Sequence, residues 1–161
     1  SMPIQPNAFV TSRVTDLPRG SVFTTGGNWF VHAHIAEQRG MPPQSAAVAL
    51  TFKGITTFVR SEACLALAPG LKADFRVIGP ILGPSTPPPS ALTWSRTNTP
   101  VIAATETFVT LAGIEEGDVI KDASFYAPHW GVWVIDAAGN QVGDAPLFVV
   151  NAAASKDAGT P

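Results

Sequence analysis

Residues 28–36 read NWFVHAHIA. Side chains on a β-strand alternate between two faces, so Trp29, Val31, Ala33 and Ile35 share one face and Phe30, His32 and His34 share the other. Gly26-Gly27 precede the stretch, and Arg39-Gly40 and Pro42-Pro43 follow it, so breakers bound it on both sides. The pattern predicts a β-strand whose Trp29, Val31, Ala33 and Ile35 face is turned toward the main core.

The same reading extends outward. AAVALTF (46–52), ITTFVR (55–60) and KADFRVI (72–78) are strand candidates, rich in β-branched and aromatic residues. Further candidates are 91–96, 101–104, 106–111, 118–126, GVWVI (131–135) and PLFVVN (146–151). DAAGN (136–140) reads as a hairpin loop, with Gly139 free to take positive φ. Residues 61–68 are compatible with a short helix capped by Ser61 or with a further strand. GPILGPSTPPP (79–89) is proline-rich, and proline lacks the amide hydrogen that a ladder needs. The expectation there is a crossover loop over 79–90. The resulting fold class is all-β: a single-domain antiparallel sandwich or jelly roll, or a closed barrel, with at most one or two short helices. Residues 1–20 read as an extended arm or edge strand, 21–151 as the β domain and 152–161 as a tail.

Composition agrees with a folded chain. Hydrophobic residues make up 45% of the 161, and four Trp and nine Phe are present, which separates the chain from disordered sequences. Charged residues are only 14%, against about 25% in an average soluble domain. Weakly charged surfaces tolerate burial, which leads to the expectation of a homo-oligomer or another protein as partner. The net charge is −2 and the basic residues are scattered, so nucleic acid is not an expected partner. No stretch reaches the roughly 20 apolar residues of a membrane span, and no charged-then-apolar signal peptide is visible. Cys64 is the single cysteine, so no internal disulfide forms, which mildly favours the cytoplasm. Its apolar setting reads as packing rather than nucleophilic chemistry.

His32 and His34, two apart on one strand, could both reach a metal ion, with His129 as third ligand and Glu37 as an oxygen donor. His32, His34 and Glu37 resemble the first motif of the cupin family, and His129, after Gly117-Asp118, the second. The His-to-Glu gap is shorter than that family's by one or two residues, and the motifs lie further apart. The resemblance implies a metal-dependent enzyme holding Zn or Fe at these histidines. Phe30, His32, His34, Tyr126 and Trp130 are the candidate ligand-binding residues, their rings suited to stacking on a sugar or an apolar molecule. There is no Gly-x-Ser-x-Gly elbow and no phosphate loop. Glu115 and Glu116 read as solvated turn residues.

The leading functional expectation is therefore a non-catalytic binding or assembly module without a cofactor, making protein–protein or carbohydrate contacts, such as a phage or other particle component. The alternatives are the cupin-like enzyme and a β-barrel that binds or cyclises a hydrophobic small molecule.

Overall fold

The computed structural model describes residues 2–35, 44–52, 54–59 and 61–152. The first part of the chain builds one antiparallel sheet from β1 (Phe9–Arg13), β2 (Val22–Thr25), β3 (Asn28–Ile35), β4 (Gln44–Ala49), β5 (Thr56–Phe58) and β6 (Ala63–Leu67). Their order across the sheet is β1-β6-β2-β3-β4-β5. Residues 61–68 thus resolve as a strand, and the helical alternative falls. The reason is β1, which pairs with β6 along its whole length, from Phe9↔Leu67 to Arg13↔Ala63. The N-terminal arm is in this way stitched into the sheet as its edge strand.

The chain leaves this sheet through β7 (Lys72–Val77) and enters a five-stranded sheet. Its strands are β8 (Leu82–Ser85), β9 (Leu92–Trp94), β10 (Pro100–Ala103), β11 (Phe108–Thr110) and β12 (Ser124–Ala127), in the order β11-β10-β9-β12-β8. A third sheet is centred on β13 (His129–Ile135), which pairs with β7 on one edge. Its other edge carries β14 (Gln141–Val142) and β15 (Phe148–Asn151). Among the described residues all three sheets are antiparallel and none closes into a barrel, so the molecule has the form of a sandwich and the barrel alternative is corrected; a single parallel bridge, His34↔Ile114, lies outside the strands.

The expectation that 79–90 carries no ladder is also corrected, because β8 lies within it. β8 is the edge strand of its sheet, pairing Leu82↔Tyr126 and Ser85↔Ser124 across an irregular register. An edge strand needs donors on one side only, so Pro84 is tolerated there. Pro87-Pro88-Pro89 lie outside every strand, as their missing amide hydrogens require.

The main core collects side chains from all three sheets: Val31, Ala33 and Ile35 of β3, Val48 of β4, Leu92, Ile102, Trp130, Val132 and Val150. Each fully buried aliphatic side chain stabilises by about 1.5–3 kcal/mol. Trp29 joins from the margin, half-buried and stacked on Phe148 at 5.2 Å. The expected core face of β3 is therefore the observed one. The opposite face is also covered, however. Val14, Phe23, Ala47, Cys64 and Ala66 form a second cluster there, with Leu17, Phe30 and Val59 packed on it.

Candidate functional site

The three histidines lie on different supports. His32 is buried, with 6% of its surface exposed. Its Nδ1 sits 2.9 Å from the Leu17 carbonyl. A carbonyl only accepts, so Nδ1 carries the hydrogen. The other ring nitrogen, Nε2, is buried without a partner. The His32 backbone adds two bonds to the same neighbouring segment: its N–H donates to the Ser21 carbonyl, and its carbonyl accepts from Gly20, both at 2.8 Å. His34 is half-buried, and its N–H donates to the Gly113 carbonyl at 2.7 Å. His129 begins β13 in another sheet, its Nδ1 3.0 Å from the Val150 carbonyl. Among the described residues no group of three His, Cys, Asp or Glu side chains is placed to hold a metal ion, so the expected trio His32, His34 and His129 is not brought together as one. Glu37 lies outside the described residues.

The candidate ligand-binding residues are likewise dispersed. Trp130 is fully buried, donates its indole N–H to the Ser90 carbonyl at 2.7 Å and stacks on Phe75. Its ring is spent on the core, which corrects its assignment to ligand stacking. Phe30 stacks on Phe23 at 5.4 Å, on the far face of the six-stranded sheet from Trp130. Tyr126 is half-buried on β12, between Leu82 and Thr93. Glu115 accepts the Thr107 hydroxyl and Glu116 accepts the Asp118 amide, so both carboxylates close a turn. Cys64 is buried, and burial pushes its thiol pKa up, which keeps the sulfur protonated and unreactive.

The structure offers a different site. β2 and β6 share only two registered pairs, Phe23↔Ala66 and Thr24↔Leu65. Beyond them β6 stays with β1, while the chain ahead of Val22 turns off through Pro18–Ser21. The strands part, and a cleft of about 1010 Å³ opens between them and β7. That volume sits at the upper end of the roughly 300–1,000 Å³ typical of ligand clefts. Its apolar lining includes Leu17, Val22, Leu67, Leu71, Phe75 and Leu111. Arg19, Lys72 and Asp74 bring charge to it.

One wall of the cleft, Leu17–Ser21, is the segment that His32 ties down with three hydrogen bonds. Leu111-Ala112 stack against it: a Cβ added to Gly20 would meet the Ala112 backbone at 3.0 Å. His32 thus belongs to the support of this site and not to its surface. Sequence reading singled out His32 but missed the cleft, because the parting of two strands leaves no local signal. No family model, no curated protein and no solved structure matches this chain.

Proposed function

We propose that this chain is a non-catalytic β-sandwich binding module whose ligand seat is the cleft between β2, β6 and β7. The observation that supports this reading is the cleft itself: about 1010 Å³ of largely apolar concavity, with a few charged groups among its lining residues. Concave apolar surface with a few polar groups is the usual form of a recognition site. Hydrogen-bonded walls on each side fit the same reading, since preorganised walls lower the ordering cost of binding.

The test is a screen of the full chain against a random-peptide library and an oligosaccharide array, repeated with Ala112→Trp. Ala112 is exposed on the cleft wall, so a large ring there fills the cleft without entering the core. Binders lost in the variant, at an unchanged unfolding temperature, support the proposal. Binders indifferent to the variant, or none at all, overturn it.

A further inference from the structure

We infer that the cleft takes an extended peptide of a partner protein, which adds as a strand to the open edge of β7. This rests on the cleft being the ligand seat and names its occupant. β7 pairs with β13 over six residues, from Lys72↔Ile135 to Val77↔Trp130. Among the described residues no strand lies on its other side. Which backbone groups face that open side follows from the alternation of an antiparallel ladder. The Ile78 N–H donates to the His129 carbonyl at 3.0 Å, so this residue pair bonds inward. On the other edge of β13, the Ala152 N–H donates to the Pro128 carbonyl and the Leu147 N–H to the Val132 carbonyl. Pro128 and Val132 therefore turn toward β15, and His129, Gly131, Trp133 and Ile135 toward β7. Arg76, Asp74 and Lys72 consequently bond inward to β13. Ala73 and Phe75 turn their N–H and C=O groups to the open side, and both residues line the cleft.

Backbone groups without a partner among the described residues, beside an apolar concavity, are the arrangement that strand addition uses: the main chain supplies affinity and alternate side chains fill the pocket. A hydrocarbon satisfies the concavity but leaves these donors and acceptors unmatched, and the hydroxyls of a sugar do not repeat at the spacing of a strand edge. Charge narrows the partner further. Asp74 is neutralised by Arg76, its carboxylate 2.8 Å from the guanidinium. Arg19 and Lys72 are exposed among the lining residues. The fitting peptide alternates apolar side chains and carries acidic residues at its flank.

Peptides about eight residues long, selected from a random library on the full chain, provide the probe. On binding, amide exchange at Ala73 and Phe75 should slow by about tenfold or more, while Asp74 and Arg76, already bonded to β13, change little. N-methylation of one alternate set of peptide amides should weaken binding about tenfold and of the other set leave it intact. Arg19→Glu should select against acidic flanks. Peptides that need an open cleft, by loss in Ala112→Trp, yet leave Ala73 and Phe75 exchange unchanged would overturn strand addition while the ligand seat stands. Peptides indifferent to Ala112→Trp would overturn both, and failure to enrich any peptide while oligosaccharides bind the cleft would overturn the inference alone.

Discussion

The indole of Trp130 connects packing to backbone geometry. Ser90, which receives its N–H, holds φ at +75°, a conformation that costs a non-glycine residue about 1–3 kcal/mol. The Ser90 N–H is fixed in turn by the Ala103 carbonyl at 2.7 Å. Trp130→Phe keeps an aromatic ring beside Phe75 and Phe148 but strands the Ser90 carbonyl in the core. The expected loss is about 2–4 kcal/mol, read from chemical denaturation. Cys64 gives a second prediction, in pH. A buried thiol favours its neutral form, so its pKa stands above the ordinary 9.0 in the folded state. A raised folded value contributes stability that is complete below the unfolded value and is lost as pH rises through the folded one. Stability of the natural chain should therefore fall more steeply above pH 9 than that of Cys64→Ala. Parallel curves for the two proteins would contradict the burial effect.

At the scale of elements, the crossing of residues 111–113 over β3 is the most constrained join. Gly113 has φ +81°, and an added Cβ would lie 2.3 Å from the His32 carbonyl and 2.7 Å from the Gly20 nitrogen. Both obstacles are backbone, so no side chain can rotate away. Gly113→Ala should cost at least about 2–3 kcal/mol and displace Leu111-Ala112, weakening any cleft ligand as well. A variant of unchanged melting temperature would argue against this packing. Such joins also mark where sequence reading stopped. The alternation in 28–36 marks β3 and its core face, GVWVI marks the last five residues of β13, and Gly139 takes the positive φ its hairpin needs. β6 was ambiguous because ACLAL carries no decisive period, and only its pairing with β1 settles it. β8 was hidden because Gly83-Pro84 reads as a breaker, whereas an edge position needs only one row of donors. The spacing of His32 and His34 marks candidate ligands, whereas the hydrogen bonds by which His32 pins Leu17–Ser21 join residues apart in the chain and leave no local pattern.

The connectivity of the whole molecule carries the last prediction. β1 near the N-terminus pairs with β6, and β7 pairs with β13 some sixty positions further on. Met2 and Asp144 exchange hydrogen bonds, which ties the N-terminal end to the turn after β14. The main core draws on every sheet, so removing any one of them exposes apolar side chains of the other two. The main core closes only with all three sheets in place, and unfolding should be a single cooperative transition. The tryptophans report on this separately: Trp29 sits on β3, Trp94 on β9, and Trp130 and Trp133 on β13, one sheet each. Denaturation followed by tryptophan fluorescence and by far-ultraviolet dichroism should give coincident curves. Single-site Trp→Phe variants at Trp29 or Trp94 should each keep the two curves superimposed. Separate midpoints for the sheet carrying Trp29 and the sheet carrying Trp94 would show two independently stable layers and break the argument. Refolding should be slow, in the millisecond-to-second range, because the ladders that close the core join residues far apart in the chain and loop closure precedes their reward.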